Sequence, residues 1–443
     1  MTINTVAAYT LGCKVNQYET EAILEQFLAH GWQTADFSEH ADVYLVNTCT
    51  VTSLGDRKSR QMMRRAKSVN PNAVLVVTGC YAQTSPDEVL AIPEVDLVIG
   101  GDRRSQIFTL TEEFLQNRTR RALVGDIGAV KEFEDLSITH YENRTRAFMK
   151  VQEGCNQFCS YCIIPYARGR IRSRSIDSAV QEAKRLAAHG FCEIVLVGIN
   201  LSAYGKENGK TSLLELIRAL CEVDGIKRIR LGSLEPTVFT DEFTSAIAQL
   251  PKLCHHFHLS LQSGCDATLR RMNRKYTTAE YAEVLSRIRS YMPDSAIATD
   301  IMVGFPQESE DEFNSTCKFA EEICLADAHI FKYSIRKGTR AAEMDGQIDP
   351  KTKEERSRRL INICSHTHNE FLQQYIGATC EVLFEQYHHH EKGLYEGKTG
   401  NYITVAVIGD DSLEGKIRKV YLRKEKNGIL YGELISEGKK AST

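Results

Sequence analysis

Residues 155–162 read Cys-Asn-Gln-Phe-Cys-Ser-Tyr-Cys, and the organisation of the whole chain follows from this stretch. Its three cysteines, Cys155, Cys159 and Cys162, have the spacing C-x3-C-x2-C, and a loop this short keeps their thiolates close enough to bind one metal centre. A structural zinc site normally has four protein ligands, and an iron–sulfur cluster usually has four cysteines. Three thiolates therefore predict a centre with one open position. The alternatives are zinc with a distant fourth ligand, or three unrelated thiols.

This spacing resembles the signature of radical S-adenosylmethionine (SAM) enzymes. In that family the three cysteines hold a [4Fe-4S] cluster, and its open iron binds the amino and carboxylate groups of SAM. The resemblance implies cleavage of SAM to a 5′-deoxyadenosyl radical. The cofactor supplies this chemistry, while the protein positions it and excludes side reactions.

The size and composition of the chain limit what it can be. With 443 residues it exceeds the size of one ordinary core, so two or three domains are expected. The formal net charge of −3 means that any nucleic-acid contact must come from local basic patches. Fourteen cysteines in so long a chain do not indicate a disulfide scaffold. Residues 1–6 lack a secretion signal and no apolar run reaches membrane-spanning length, so we expect a cytoplasmic protein whose clustered cysteines bind metal or catalyse.

Strands and helices alternate in the first hundred residues. Strands are predicted at 6–10, 43–47, 73–77 and 95–99, with helices at 19–30 and 56–69 and a short helix from residue 87. This alternation predicts a parallel α/β sheet, in which ligands bind beyond the carboxyl ends of the strands. Cys13, Cys49 and Cys80 each follow a predicted strand, so they predict a second three-thiolate site. The alternative is three small apolar side chains packed at strand ends.

The predicted helix 56–69 is rich in cations. It is a candidate phosphate-contacting surface, although a solvated basic face is the simpler interpretation. The cations are Arg57, Lys58, Arg60, Arg64, Arg65 and Lys67.

The central region predicts a partial parallel barrel of six β/α units. Its first strand, 147–151, runs into the cysteine loop, and five more strands are predicted at 193–197, 228–231, 257–261, 296–303 and 329–334. Barrel enzymes place functional groups on loops at the strand carboxyl ends. By family resemblance such loops hold SAM, which makes candidate cofactor contacts of Asn200, Glu235, Gln262, Asp300 and Gly304.

Further side chains in the central region allow two interpretations. Alternation of Arg168, Arg170, Arg172 and Arg174 predicts four cations on one side of an extended segment, which suits either an anion or ion pairs with nearby acids. The histidines at 255, 256 and 258 favour packing or exposure over metal binding, and the histidines at 388–390 favour a solvated turn. Cys317 and Cys324 are expected on one helix face against the core.

The carboxyl-terminal region changes character after a charged helix at 350–375. About five short strands punctuated by glycines predict a small closed β-barrel of the oligonucleotide-binding (OB) kind, which resembles the RNA-binding TRAM module. Six cations are candidate phosphate contacts, although a solvated surface or a protein-docking role is the alternative. They are Lys398, Lys416, Arg418, Lys419, Arg423 and Lys424.

Three motifs in the first domain carry a closer resemblance, which extends over essentially the whole chain. Residues 11–21 (Leu-Gly-Cys-Lys-Val-Asn-Gln-Tyr-Glu-Thr-Glu), 47–49 (Asn-Thr-Cys) and 78–80 (Thr-Gly-Cys) resemble the methylthiotransferases, radical SAM enzymes with two iron–sulfur clusters. The first motif is most similar to the branch that acts on N6-threonylcarbamoyladenosine (t6A) at position 37 of tRNA. The branches acting on isopentenyladenosine or on a ribosomal protein aspartate are alternatives, and a non-catalytic iron–sulfur RNA-binding protein is a rival of another class.

The resemblance implies a three-domain enzyme: residues 1–125, a radical SAM barrel at 140–372 and a TRAM domain at 375–438. Cys155, Cys159 and Cys162 would bind the cluster that cleaves SAM, and Cys13, Cys49 and Cys80 would bind a second [4Fe-4S] cluster that carries sulfur. The product would carry a methylthio group at C2 of the adenosine. Expected partners are the tRNA anticodon stem-loop, a sulfur donor, and an electron donor of the reductase, flavodoxin or ferredoxin type.

Overall fold

The protein is described by a computed structural model, which covers residues 4–138, 144–388 and 393–435. The amino-terminal region is a parallel α/β sheet, as the sequence predicts. Its strands run in the order β2-β1-β3-β4-β5-β6 and every pairing is parallel. Their bounds are β1 Thr5–Thr10, β2 Gln33–Ala35, β3 Val43–Thr48, β4 Val74–Gly79, β5 Leu97–Ile99 and β6 Arg121–Leu123.

Helices cover both faces of this sheet, so its central strands β3 and β4 are completely buried. The helices are α1 Lys14–Ala29, α2 Ser53–Val69, α3 Cys80–Thr84, α4 Pro86–Leu90 and α5 Ile107–Asn117. The prediction missed β2 and β6, because both are three-residue edge strands with little apolar character. The predicted helix began at residue 19, whereas α1 begins five residues earlier at Lys14. The first turn of α1 is mostly polar, so the apolar pattern did not reveal where the helix begins.

The central region contains the six predicted parallel strands in two sheets. The first has the order β10-β9-β7-β8, in which β8 is a short antiparallel addition, and the second has the order β11-β12-β13. Single bridges between residues 229 and 253 and between 234 and 259 join them into a partial barrel. The strands are β7 Arg146–Glu153, β8 Arg172–Ser173, β9 Glu193–Gly198, β10 Arg228–Leu231, β11 His256–His258, β12 Ala296–Val303 and β13 Asp327–Lys332.

The outer helices pack on one continuous apolar core with the alternate residues of these strands. They are α7 Ile176–Ala188, α8 Leu213–Cys221, α9 Asp241–Ala248, α10 Asp266–Arg271, α11 Thr278–Tyr291 and α12 Glu310–Glu322. The short helix α6 Ile164–Arg168 follows the cysteine loop and contacts α3 of the amino-terminal region instead. Cys317 is buried as expected, but Cys324 is exposed because α12 ends before it and its backbone turns left-handed (φ 47°).

The long helix α13 Pro350–Gln373 leads into a closed five-stranded barrel whose strand pairs are mostly antiparallel. This confirms the predicted small β-barrel at the carboxyl end of the chain. Its strands are β14 Thr379–Tyr387, β15 Leu394–Thr399, β16 Thr404–Ile408, β17 Ile417–Lys426 and β18 Ile429–Leu434. His388 is buried and its Nδ1 lies 2.8 Å from Glu396, so the expectation of a solvated turn is wrong there; His389 and His390 lie outside the described residues.

The small barrel docks on the amino-terminal end of the central strands. The Arg228 guanidinium donates to the carbonyl oxygens of Glu381 (2.9 Å) and Lys398 (3.1 Å), and Arg230 donates to those of Thr399 (3.2 Å) and Gly400 (2.9 Å). The cysteine loop lies at the opposite end of these strands. No helix within the described parts of the chain combines the length and apolarity needed to cross a bilayer.

Candidate functional site

The cysteine loop at 155–162 is held at the carboxyl end of β7 by backbone hydrogen bonds. The Cys155 N–H donates to the Gly169 carbonyl (3.1 Å), and Ser160 donates to the Met272 carbonyl (3.0 Å). Gly154 precedes the loop with φ +72°, and a Cβ there would lie 1.9 Å from the Arg170 carbonyl oxygen. Only glycine fits this close backbone approach, so the turn into the loop requires it.

Hydrogen-bond donors surround the sulfur atoms of this loop. Arg274 Nη1 lies 3.3 Å from Cys159 Sγ, and Asn200 Nδ2 lies 3.7 Å from Cys155 Sγ. Burial raises the pKa of the Cys162 thiol to about 12, and the neighbouring Cys159 and Cys155 add to this effect. A metal that binds here must displace protons, while the arginine and amide stabilise the resulting thiolates.

The structure brings Cys13, Cys49 and Cys80 together at the carboxyl edge of the amino-terminal sheet. Cys13 immediately precedes α1, Cys49 follows β3 and Cys80 begins α3. A Cβ on Gly12 would come within 3.0 Å of Cys49 Sγ, which shows how tightly this edge is packed. Burial raises the pKa of Cys80 to about 11, with further contributions from the Cys13 and Cys49 thiols, while Arg168 opposes them.

Each three-cysteine group has one buried arginine that donates to a sulfur. Arg168 Nε lies 3.1 Å from Cys80 Sγ and donates to it, as Arg274 donates to Cys159 Sγ in the other group. Three converging thiols, one charge-assisted donor and a carboxyl-edge position suit an anionic iron–sulfur cluster at each place. The residues present therefore fit the two clusters, and Asn200 adds a buried side-chain oxygen with no partner among the described residues, which suits a ligand N–H.

Arg168 also belongs to a buried ion network that joins the amino-terminal sheet to the barrel. Its Nη1 lies 2.6 Å from Glu19 Oε1 and 2.8 Å from Glu153 Oε1, while Lys150 Nζ lies 2.7 Å from Glu19. Burial alone would raise the pKa of Glu153, but Lys150, Arg168 and Arg104 hold it well below its usual range. The network therefore keeps both carboxylates ionised at the domain contact.

We expect Arg168→Met to destabilise the protein by about 3–5 kcal/mol, because it leaves Glu19 and Glu153 buried with less counter-charge. Urea denaturation of the cluster-free protein measures this. The exposed Lys318→Met variant is the control and should stay within about 0.5 kcal/mol of wild type. A loss below about 1 kcal/mol for Arg168→Met would show that the network is not a main support of the domain contact.

The four alternating arginines do not share one anion site. Arg168 ends a short helix instead of lying in an extended segment, and Arg174 pairs with Glu182 at 2.6 Å. Arg172 donates to backbone carbonyls, and Arg170 lies over the Phe158 ring at 5.3 Å. For Arg168 and Arg174 the ion-pair alternative is therefore the correct interpretation.

The five predicted SAM contacts divide into two groups. Asn200 and Glu235 lie beside the cysteine loop, because Asn200 contacts Cys155 and Glu235 pairs with Arg274. Asp300 lies between two histidines on the inner wall of the barrel. Gly304 turns with φ +72° against Lys353, whose Cγ would lie 2.3 Å from a Cβ at 304, so its need for glycine has a packing explanation. Gln262 has φ 67° and its N–H donates to the Asp300 carbonyl (2.8 Å).

A group on the inner wall, formed by His258, Asp300 and His329, was not predicted from the sequence. Asp300 Oδ1 lies 3.3 Å from His258 Nε2 and 3.4 Å from His329 Nδ1. Burial would raise the pKa of Asp300, but the two histidines lower it strongly, and the hydrogen bond to Asp300 raises the pKa of His329. Side chains alternate between the two faces of a strand, so the sequence could have placed each of these residues on the inner face of its own strand. It could not have shown that the three neighbouring strands bring them together.

A cationic group around Tyr402, the basal pocket, lies at the opposite end of the barrel and was not predicted from the sequence either. Tyr402 of the small barrel inserts there with φ 73°, and its ring stacks on His256 with centroids 4.7 Å apart. The cations Arg146, Arg230 and Lys398 lie 5.2, 4.8 and 4.9 Å from its ring centroid. Lys398 thus lies in the domain contact and not on an outer RNA-facing surface, which corrects its assignment as a phosphate contact.

Two family models match separate parts of the chain. A model described as uncharacterized protein family UPF0004 matches residues 5–100, and the radical SAM superfamily model matches residues 149–320. The first match contains Cys13, Cys49 and Cys80, and the second contains the cysteine loop.

Curated relatives match nearly the whole chain. The threonylcarbamoyladenosine tRNA methylthiotransferase MtaB of Bacillus subtilis is 42% identical over 97% of this chain and 95% of its own length. The tRNA-2-methylthio-N(6)-dimethylallyladenosine synthase of Pelotomaculum thermopropionicum is 36% identical over 92% of each protein.

Among solved structures, the radical SAM methyltransferase TsrM of Kitasatospora setae, with cobalamin and a [4Fe-4S] cluster bound, has a TM-score of 0.59. The similarity covers 77% of each chain at 14% sequence identity. At this identity the comparison shows a shared fold only.

Proposed function

Because this chain belongs to the radical SAM methylthiotransferase family, we propose that it adds a methylthio group to C2 of N6-threonylcarbamoyladenosine-37 in tRNA. The observation that carries the proposal is the pair of three-cysteine groups, each with a buried arginine, in a chain 42% identical to a relative named for that substrate. The alternatives, a dimethylallyl or isopentenyl adenosine or a protein aspartate, concern the substrate and not the chemistry.

The cofactors of the family are two [4Fe-4S] clusters and SAM, which supply a 5′-deoxyadenosyl radical and the sulfur. We assign Cys155, Cys159 and Cys162 as ligands of one cluster and Cys13, Cys49 and Cys80 as ligands of the other. Arg274 and Arg168 donate to one sulfur in each group and stabilise its thiolate charge. Asn200 and Glu235 remain our candidate SAM contacts because they border the first group, and Gln262, Asp300 and Gly304 are weaker candidates.

The RNA-binding surface in this proposal includes the exposed face of α2. Arg57, Lys58, Arg64 and Arg65 are exposed there, whereas Lys67 pairs with Asp96 at 2.7 Å and Arg60 lies by Tyr81 and Glu88. An exposed row of cations beside the Cys49 edge suits the phosphates of an anticodon stem-loop whose target base is splayed out. The small barrel would add Lys419 and Lys424, and an external electron donor and sulfur donor would complete the system.

We also propose that domains extend over residues 1–125, 140–372 and 375–438. The main apolar clusters of the amino-terminal sheet, the central barrel and the small barrel support this division, and Tyr18 and Ala22 of α1 join the barrel cluster at the domain contact. Residues 139–143, 389–392 and 436–443, which include parts of these boundaries, lie outside the described structure.

Mass spectrometry of tRNA nucleosides tests the substrate. Cells that lack the gene should lose methylthio-threonylcarbamoyladenosine and accumulate the unmethylthiolated nucleoside, and the wild-type gene should restore the product. If the threonylcarbamoyl product is unchanged while the methylthio-isopentenyl nucleoside disappears, the related adenosine is the substrate.

The non-catalytic rival makes a different prediction. Protein reconstituted anaerobically with iron and sulfide should release 5′-deoxyadenosine from SAM when a reductant is added. Fully loaded protein that releases none would favour an iron–sulfur RNA-binding protein.

A further inference from the structure

The amino-terminal helix α1 inserts its first turn into the barrel. Val15 packs against Val195 and Val197 of β9, whereas the neighbouring Ile194 and Leu196 face the outer helices. The start of α1 therefore lies against the inner wall, and Lys14 is its first residue. Solvent reaches the Lys14 side chain, whose Nζ lies 5.8 Å from the centroid of Phe148 on β7.

Lys14 faces the basal pocket around Tyr402. Burial would raise the pKa of the Tyr402 hydroxyl, and Arg146 and Lys14 lower it. The ammonium of Lys14 lies beside the ring of Phe148, which is two residues from Arg146 on β7 and on the same face of that strand, so Lys14 borders the basal pocket.

The other cations of the basal pocket already have partners. Arg146 Nε lies 2.5 Å from Glu385, Arg230 Nε lies 2.8 Å from Glu193, and Lys398 donates to the Thr404 hydroxyl. In contrast, Lys14 has neither an ion pair nor a hydrogen bond from its side chain to any residue in the described ranges. Because Lys14 is open to solvent and has no such partner, its ammonium is available to an anion that arrives with the substrate.

The proposed substrate carries such an anion. A threonylcarbamoyl group is threonine joined through its amino nitrogen, which leaves the carboxylate free and ionised at neutral pH. The dimethylallyl group named in other relatives is neutral. Lys14 directly follows Cys13, and N6 is attached to C6 of the same six-membered ring that contains C2. A base whose C2 faces the cluster proposed on Cys13 therefore has its N6 substituent within reach of the next side chain.

We propose that Lys14 binds the carboxylate of the threonylcarbamoyl group and selects an anionic N6 substituent over a neutral one. This inference rests on the proposed function and adds its specificity-determining residue. A charge-assisted hydrogen bond from Lys14 gives both affinity and discrimination, because a neutral substituent would leave the ammonium unpaired.

The test uses cluster-loaded enzyme and two anticodon stem-loop RNAs. One carries threonylcarbamoyladenosine, and the other carries its threoninamide analogue, in which the carboxylate is a neutral amide. Wild type should prefer the acid by roughly 10- to 100-fold in kcat/KM. Lys14→Met should lower kcat/KM for the acid by a similar factor and leave the amide within about threefold, while Lys14→Arg should retain most of the preference.

Three further measurements make the result specific. Fluorescence anisotropy without reductant should show the same loss of preference in Kd. Iron, sulfide and RNA-independent release of 5′-deoxyadenosine should be unchanged in Lys14→Met, and Lys318→Met on the outer face of α12 is the matched control with wild-type behaviour. If Lys14→Met loses iron, the comparison of acid and amide with wild type alone still tests the proposal.

Two results would overturn the assignment of Lys14. One is a wild-type enzyme that uses acid and amide equally, and the other is a Lys14→Met variant that retains the preference or loses both substrates equally. Equal loss would indicate a phosphate contact or a SAM contact. Failure of the proposed function is a separate outcome, in which wild type leaves both RNAs unmodified and modifies a stem-loop carrying the dimethylallyl group.

Discussion

Cys159→Ala is expected to reduce 5′-deoxyadenosine release and methylthiolation to background, while the protein still folds and keeps the amino-terminal cluster. Cys159 is one of only three thiolates that we assign to the SAM-cleaving centre, and Arg274 donates to its sulfur at 3.3 Å. Two thiolates cannot hold a cluster that usually has three or four. The measurements are chromatographic quantification of 5′-deoxyadenosine and chemical analysis of iron and sulfide per chain, which should fall to about half.

The matched control for this prediction is Cys324→Ala. Cys324 is exposed beyond the end of α12 and belongs to neither cysteine group. The iron content and activity of the Cys324→Ala variant should therefore equal those of wild type. Loss of all iron in Cys159→Ala would contradict two independent centres. Retention of full iron content would show that residues 155–162 hold no cluster.

Cys80→Ala should have the complementary effect. It should abolish methylthiolation but leave release of 5′-deoxyadenosine within a few-fold of wild type, because the loop at 155–162 lies on a different domain. Burial raises the pKa of the Cys80 thiol to about 11, so in cluster-free protein the thiol is protonated at neutral pH and loading must release that proton. Iron loading of the wild-type amino-terminal site should therefore improve as pH rises from 7 toward 9.

This pH dependence can be separated from that of the other site. Cys159→Ala retains only the amino-terminal centre, so iron bound by that variant at several pH values reports on Cys13, Cys49 and Cys80 alone. Loading that is independent of pH, or a Cys80→Ala variant that still forms the methylthio product, would remove Cys80 from the sulfur-bearing site. A double variant of Cys80 and Cys159 should contain no cluster.

Local patterns were sufficient to predict most of the fold. The alternation of β-branched strands with amphipathic helices repeats within short windows, so the parallel sheet and the six-strand barrel could be inferred from them. Short edge strands such as β2 and β6 were missed because three residues carry too little pattern. Strand β16 begins only at Thr404, because Tyr402 lies in a left-handed turn and its ring stacks on His256 of the neighbouring domain, which no local pattern reveals.

The sequence by itself determined the two cysteine groups. Residues 155–162 are adjacent in one loop, and Cys13, Cys49 and Cys80 follow parallel strands whose carboxyl ends must share an edge. Only the tertiary structure decided which charges meet: Arg168 with Glu19 and Cys80, Asp300 with two histidines, and Lys14 with the basal pocket. The physical reason is range. Spacing along a loop or a strand limits where a side chain lies relative to its neighbours in sequence, whereas ion pairs between domains depend on how separate cores dock.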